Sequence, residues 1–331
     1  MSFLRKLSSK KNKNSKGKNK NSKEKNKHSN DNNKTEVKSP SKTRTNHKTS
    51  FSKIEDNYKT YEDLQYDLRK KGFEASQLII GIDYTKSNTW NGEKTFNNKC
   101  LHDLTTINPY QQAIEIIGRT LAPFDDDNKI PVYGFGDKTT TDKDVFPFFP
   151  DNRPCNGFKE VIDRYNQLTP YIQLNGPTNF APLIYKTIEI VKATGEYHIL
   201  VIIADGEVSR PKETEQAIVD ASNYPISIIM VGVGDGPWDK MEEYDDELPQ
   251  RKFDNFQFVN FHEVMIKKKV ENHDIEFAKC AMMEIPEQYQ AIKTLGLLEK
   301  ISTANIQRSP IYPIIYPQTS FNSLPSAPLN Y

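Results

Sequence analysis

The stretch "LIIGIDYTKSNTW", residues 78–90, joins a run of apolar residues to a polar loop. Its first half is typical of a strand buried on both faces of a sheet. Asp83 ends the run, and Thr85 and Ser87 follow at alternate positions. An aspartate with two hydroxyl residues can form an ordinary turn, or it can supply three oxygen ligands to a metal ion.

Apolar runs and amphipathic segments alternate along the chain beyond this stretch. Strands are predicted at residues 76–83, 130–136, 197–206, 225–234 and 256–261, and helices at 108–124, 157–168, 181–194 and 211–222, with further helix to about residue 298. Asn108 can cap the first of these helices, and Pro109 suits its first turn. The pattern predicts an α/β fold with a doubly wound, mainly parallel sheet flanked by helices.

Charge divides the 331-residue chain into unlike parts. Residues 1–50 hold 16 basic and 3 acidic side chains, whereas the remainder holds 29 basic and 41 acidic ones. We expect a disordered basic Lys/Asn-rich tail over residues 1–54, a globular domain over 55–300 and a disordered Pro/Tyr-rich tail over 301–331. The basic tail is expected to be solvated, with weak contact with anionic membranes as the alternative, and it lacks the interleaved aromatic residues of specific nucleic-acid recognition.

Several classes of protein are disfavoured by missing patterns. Cys100, Cys155 and Cys280 are too few and too widely spaced for a structural zinc site or a RING finger. No membrane span or signal peptide is seen, which predicts an intracellular, cytoplasmic protein, with a nuclear or membrane-peripheral location left open. A P-loop and a nucleophile elbow are also missing, so we expect no catalytic or cofactor-binding residues and no enzyme.

Two further loops carry oxygen-bearing side chains. Thr178 stands just before a predicted helix, and Asp205 stands at the end of a predicted strand. Because the carboxyl ends of parallel strands meet at one edge of a sheet, we expect these loops to lie near the first one. The combined set contains no histidine or cysteine and favours Mg²⁺ over zinc, with Mn²⁺ or Ca²⁺ as alternatives. Its members are Asp83, Thr85, Ser87, Thr178 and Asp205.

Hydroxyl ligands leave the charge of a divalent cation only partly neutralised. If the two aspartates act largely through bound water, the ion still attracts one more anionic oxygen. An Asp or Glu side chain of a partner protein can supply that oxygen. The set therefore predicts a contact between two proteins that is bridged by a metal ion.

The set resembles the metal-ion-dependent adhesion site of von Willebrand factor A domains, with Thr85 where many members have serine. The flanking sequence resembles the A domain of copines and of plant-type RING-domain ligases over about residues 55–300. The resemblance includes the segments "GIDYTKSNTW", "GPTNFAPLIY" and "YHILVIIADGEVSR". The resemblance implies a Rossmann-like von Willebrand factor A fold and a divalent-metal-dependent protein-binding module. A part in ubiquitination, as a ligase or adaptor, and association with phospholipid surfaces are the alternatives.

Four other features are assigned from their local pattern. His198 lies in a predicted strand and is expected in the core. His102 is expected at the surface, with a place at the rim of the metal loop as the alternative. Trp90 can either anchor a partner or cover the edge of the core. The acidic run at residues 241–248 is expected to be a solvated helix face rather than a second cation site.

Overall fold

The computed structural model describes residues 58–298 except 207, 247 and 249. The strands of this part are β1 Gln77–Asp83, β2 Lys129–Ile130, β3 Val132–Phe135, β4 Val145–Pro147, β5 Cys155–Asn156, β6 His198–Ala204, β7 Ile226–Gly232 and β8 Phe256–Asn260. Its α-helices are α1 Tyr61–Lys70, α2 Pro109–Leu121, α3 Gly157–Leu168, α4 Ala181–Thr194, α5 Pro211–Ala221, α6 Asp239–Asp246, α7 Phe261–Met265, α8 His273–Ala281 and α9 Ile285–Thr294.

Six of these strands form one sheet in the order β4–β3–β1–β6–β7–β8. All neighbours are parallel except β4, which runs antiparallel to β3 at the edge. The predicted strand over residues 130–136 is divided, and β2 pairs instead with β5 in a separate antiparallel ribbon. Pro131 stands at the division, where a residue without a backbone N–H interrupts a ladder. The predicted α/β, doubly wound and mainly parallel fold is confirmed.

The sheet is covered on both faces, as its uniformly apolar strands predict. On one face, Leu78, Ile80 and Ile82 of β1 pack into a core shared with α1, α2, α3, α8 and α9. On the other face, Ile79 joins a core shared with α4, α5 and α6. Gly81 lies under Leu183 of α4, and a Cβ at this position would overlap the leucine side chain. Glycine in β1 thus lets α4 approach the sheet closely.

Local capping fixes where α2 begins at the carboxyl edge of the sheet. The Asn108 side chain accepts a hydrogen bond from the Gln111 N–H, and the Gln111 side chain accepts one from the Asn108 N–H. Pro109 occupies the first turn. This reciprocal arrangement is a capping box, so the predicted start of the helix is confirmed.

The predictions for both ends of the chain concern residues that the structure does not describe. The basic segment of residues 1–54 falls there, as does the Pro/Tyr-rich segment of 301–331. Disorder, membrane contact and the domain boundaries at 55 and 300 stay predictions. Within the described part, every helix is too short or too polar to cross a membrane.

Candidate metal centre

The two aspartates of the predicted site come together at the centre of the sheet. Strands β1 and β6 are parallel neighbours, with Ile82 opposite Ile203. Asp83 is the last residue of β1, and Asp205 directly follows β6. The chain leaves β1 toward β3 on one side and later returns to β6 on the other. Both carboxylates therefore lie in the crevice where the strand order reverses.

Backbone contacts bring the Thr178 loop to the same edge. Thr85 forms an isolated parallel bridge with Asn175. The Lys86 N–H donates to the Asn175 carbonyl at 2.5 Å, and the Asn175 N–H donates to the Tyr84 carbonyl at 3.3 Å. These bonds lay the segment before Thr178 alongside the loop that follows β1. Three segments far apart in sequence thus converge.

The structure brings all five predicted side chains together in a set that we call the hydroxyl–carboxylate cluster. The Thr85 N–H donates to Asp83 Oδ1 at 2.7 Å, and Thr85 Oγ1 lies 2.8 Å from Ser87 Oγ. Ser87 Oγ donates to Asp205 Oδ1 at 3.0 Å. Thr178 Oγ1 donates to Thr85 Oγ1 at 3.4 Å. A connected series of hydrogen bonds therefore links Asp83 to Asp205 through Thr85 and Ser87.

Burial makes the two carboxylates of this cluster electrostatically costly. Asp83 is 0% exposed and Asp205 is 1% exposed. Burial raises the pKa of Asp83, and burial together with the negative charge of Asp83 raises the pKa of Asp205 well above its usual range. Among the described residues, no basic side chain forms an ion pair with either carboxylate. No basic group of the described residues neutralises their charge.

The cluster fits a hard divalent cation by its own chemistry. Asp83 Oδ2 and Asp205 Oδ2 are buried and have no hydrogen-bond partner among the described residues. Such oxygens need a partner, and Mg²⁺ or Mn²⁺ accepts carboxylate, hydroxyl and water oxygens. The described residues contain no group of three or more His, Cys, Asp or Glu side chains arranged for a metal ion. The hydroxyl–carboxylate cluster differs from such a group because three of its five side chains carry hydroxyls. Ser87 is half-buried, so the cluster is open to solvent on that side.

A long loop after Ser87 braces the Asp205 segment, which the sequence did not predict. The Asn91 side chain donates to the Asp205 carbonyl at 3.2 Å. Thr95 Oγ1 donates to Asp235 Oδ1 at 2.7 Å, and the Lys94 N–H donates to Asp235 Oδ2 at 2.9 Å. Asp235 follows β7, so this loop connects the segments after three strands. A weak sequence signal existed, since Asp235 also lies just beyond a strand.

His102 lies beneath the first loop, and the prediction that it is at the surface is wrong. It is 6% exposed, and its ring is stacked between those of Tyr84 and Tyr110. Burial lowers the pKa of His102 to about 4, which keeps the imidazole neutral at pH 7. A single histidine in a polar loop shows no periodic sequence pattern that indicates burial. The side chains that bury it include residues of two helices that follow it in the chain.

The remaining local assignments have mixed outcomes. His198 is 3% exposed, so its predicted place in the core is confirmed. Trp90 is 56% exposed and does not cover the core. The acidic run falls largely within α6, where Glu243 is exposed as predicted, but Asp245 is buried, so the run is only in part a solvated helix face. Asp245 accepts from the Phe258 N–H at 2.9 Å, because α6 covers the outer edge of β8.

Comparison with known proteins places these features in a family. The copine family model matches residues 100–301. The E3 ubiquitin-protein ligases RGLG1 and RGLG2 of Arabidopsis thaliana are 53% and 51% identical to this chain, over 82% and 83% of its length. The chain spans 59% and 62% of the length of these two relatives. The activity of the whole relatives is therefore a matter for proposal in this chain.

Solved structures with a similar fold are distant in sequence. The manganese-loaded TRAP protein of Plasmodium vivax is 11% identical, with a TM-score of 0.40. The match covers 58% of this chain and 70% of that one. A von Willebrand factor type A protein from Catenulispora acidiphila is 12% identical, with a TM-score of 0.39 over 66% of this chain and 43% of that one.

The prediction that the protein is not an enzyme is wrong. Relatives that match more than four-fifths of the chain are named as E3 ubiquitin-protein ligases, and ligases are enzymes. The prediction relied on the small number of cysteines and on missing catalytic motifs. A cysteine count concerns one kind of zinc site and does not test the activity of a family.

Proposed function

Because the chain belongs to the copine family, we propose that its A domain captures a partner protein through a divalent metal ion held by the hydroxyl–carboxylate cluster. One observation carries the proposal most strongly. Two buried carboxylates face each other beside three hydroxyl groups, and each has an oxygen without a hydrogen-bond partner among the described residues. A divalent cation would neutralise the pair and satisfy those oxygens.

The roles of the side chains follow from their charge and position. Thr85 and Ser87 are proposed as direct ligands, and Thr178 as a direct or water-linked ligand. Asp83 and Asp205 are proposed to hold coordinating waters and to orient the hydroxyls. A bound Mg²⁺, or Mn²⁺ or Ca²⁺ in its place, would supply a positively charged open position for an Asp or Glu carboxylate of the partner.

Trp90 supports the idea that this face meets another protein. It lies three residues beyond Ser87, and its backbone N–H donates to the Ser87 carbonyl at 2.9 Å. With 56% of its surface exposed, the indole is available to pack against a partner at the rim of the cluster. Exposed aromatic residues of this size are frequent anchors of protein interfaces.

A pair of aspartate substitutions tests the proposal. Asp205→Asn should weaken Mg²⁺ binding, measured by isothermal titration calorimetry, by about 10–100-fold, because a charged member of the cluster is lost. Asp137→Asn is the matched control. Asp137 follows the neighbouring strand β3 and is 6% exposed, but its oxygens accept hydrogen bonds from Thr139 and Thr140. The control should retain Mg²⁺ binding.

The same proteins test the capture of a partner. Immobilised wild-type protein and the Asp137→Asn control should retain a partner in Mg²⁺ and release it in EDTA. Asp205→Asn should retain none in either buffer. Mg²⁺-independent capture by all three proteins would contradict the metal bridge, even if the metal itself binds.

We propose further that the captured partner is a substrate for ubiquitination. The supporting observation is the 53% identity to a named E3 ubiquitin-protein ligase over 289 residues. The full chain is incubated with E1, a panel of E2 enzymes, ubiquitin, ATP and the captured partner. Wild-type protein should yield ubiquitin conjugates on the partner, and Asp205→Asn should yield fewer.

The assay compares wild type with Asp205→Asn and uses no EDTA, because EDTA would also remove the Mg²⁺ that E1 needs with ATP. Conjugates formed by the chain on itself should be equal in both proteins. The absence of conjugates with every E2 would contradict a ligase function and leave metal-dependent capture as the function of the domain.

A further inference from the structure

His102 lies in a largely buried aromatic layer directly under the metal loop. Its ring centroid lies 4.7 Å from that of Tyr84 and 4.2 Å from that of Tyr110, with interplanar angles of 18° and 19°. Both tyrosine rings are fully buried. The imidazole is thus held between two flat surfaces and can present its nitrogens only at its edge.

The hydrogen bonds at that edge determine where the imidazole proton lies. Nε2 is 2.8 Å from the Asp83 carbonyl oxygen, which can only accept, so Nε2 carries the proton. Nδ1 is 2.7 Å from the Tyr165 hydroxyl. The Asn108 side chain donates to that hydroxyl at 3.1 Å, which leaves the hydroxyl proton to be donated to Nδ1. A single neutral tautomer satisfies every group.

The carbonyl that His102 contacts belongs to the residue at which β1 leaves the sheet. The Tyr110 hydroxyl and the Asn88 amide also point to this oxygen, at 3.2 and 3.4 Å. The Asn88 amide donates as well to the Thr85 carbonyl at 3.1 Å, and its oxygen accepts from Tyr110 at 2.7 Å. Of the donors to the Asp83 carbonyl, His102 is the nearest. It therefore constrains the peptide plane that directs the Asp83 carboxylate.

On the basis of the proposed metal-binding function, we propose that His102 is a positioning residue for the metal centre. By donating from Nε2 to the Asp83 carbonyl, it holds Asp83 and Thr85 in the arrangement that receives the cation. It does not touch the ion. Groups that orient metal ligands in this way typically alter metal affinity by about 10–100-fold when they are replaced.

Two amide substitutions separate the two nitrogens of the ring. In His102→Gln the side-chain amide nitrogen can take the place of Nε2 and retain the donor to Asp83. In His102→Asn the shorter amide can reach toward Tyr165 but not to the Asp83 carbonyl. Both variants lose the aromatic stack, so both should show a lower Tm in EDTA.

Mn²⁺ affinity, measured by calorimetry on the full chain, distinguishes positioning from mere stability. His102→Gln should bind Mn²⁺ within about 3-fold of wild type, whereas His102→Asn should bind about 10–100-fold more weakly. In wild-type protein, the imidazole ¹⁵N shifts should also report the Nε2-protonated tautomer. Both variants lose the same aromatic packing. A Mn²⁺ affinity that is retained in His102→Gln and lost in His102→Asn therefore cannot result from that loss.

The outcomes separate this inference from the function on which it rests. Wild-type protein that fails to bind Mn²⁺ overturns both. Wild-type binding with equal Mn²⁺ affinities in the two variants, whether retained or weakened, overturns the positioning role alone. An Nδ1-protonated tautomer would also overturn it, because Nε2 could not then donate to Asp83.

Discussion

Two groups of acidic side chains in this molecule, each with at least one buried member, differ in what surrounds them. In the hydroxyl–carboxylate cluster, Asp83 and Asp205 lie among hydroxyl groups without an ion pair to a basic side chain of the described chain. At the β8 edge lies a second group, the outer cluster, made of Asp245, Asp254, Glu284 and Arg251. Here the Phe258 N–H donates to Asp245, and Arg251 pairs with Asp254 at 2.6 Å.

Both groups hold an acid with a raised pKa, but only one of them fits a cation. Burial, and then the charges of Asp245 and Asp254, raise the pKa of Glu284 to about 8, while Arg251 acts in the opposite direction. A raised pKa therefore reports burial, which the two groups share. Converging hydroxyls and the lack of a paired base are what distinguish the metal candidate.

The largest predicted difference is in stabilisation by metal. At a Mn²⁺ concentration about 1,000 times Kd, binding should add about 4 kcal/mol to the free energy of unfolding of the wild type. Asp83→Asn should reduce this gain to about 1–3 kcal/mol, and Glu284→Gln should retain it in full. Thermal unfolding with and without Mn²⁺ measures both. An equal gain in Asp83→Asn, or its loss in Glu284→Gln, would remove the distinction between the two groups.

The pH dependence of stability should reveal the outer cluster. The pKa of Glu284 is raised above its unfolded value near 4.5, so the folded state holds the proton more tightly. Stability from this group is full below pH 4.5 and is lost as the pH rises through about 8. Glu284→Gln should therefore raise the free energy of unfolding at pH 9 by on the order of 2 kcal/mol, with little change at pH 4.

Urea unfolding at the two pH values measures this difference. Glu263→Gln, an exposed residue of α7, is the matched control and should behave as wild type. If Glu284→Gln and wild type lose the same stability between pH 4 and pH 9, the outer cluster does not hold a proton on Glu284.

The smallest predicted effect concerns one hydroxyl group. Thr85 packs its methyl group where the Cβ of a residue replacing Gly136 would stand, so its shape matters as well as its oxygen. Thr85→Val retains the shape and removes the hydroxyl, and should weaken Mn²⁺ binding by about 10-fold. Thr85→Ser retains the hydroxyl and should bind within about 3-fold of wild type. The reverse ranking would show that Thr85 acts through packing instead of as a ligand.

The sequence predicted the elements whose signals are local. Apolar runs located β1, β6, β7 and β8, and Asn108 with Pro109 located the start of α2. The convergence of the loops was predictable because a parallel sheet brings the carboxyl ends of its strands to one edge, a rule that needs no alignment. The metal assignment of Asp83, Thr85, Ser87, Thr178 and Asp205 stays a prediction.

Features that depend on distant contacts were not predictable in this way. Strand β4 has three residues, too few for a periodic signal, and is defined by its pairing with β3. His102 is buried because Tyr110 and Tyr165, on two different helices, close around it. Asp245 is buried because α6 folds over β8. In each case the decisive partner lies far along the chain or has no motif of its own.

The separation of the metal loops along the chain has a consequence for protein synthesis. Ser87 and Asp205 are 118 positions apart, and β6 must insert beside β1 before they meet. A nascent chain that has emerged only as far as α4 therefore has no complete cluster to offer an ion. Under the proposed function, metal-dependent capture would begin only when the centre of the sheet is finished. It ends when the sheet opens, so partner binding would report on the quality of the fold itself.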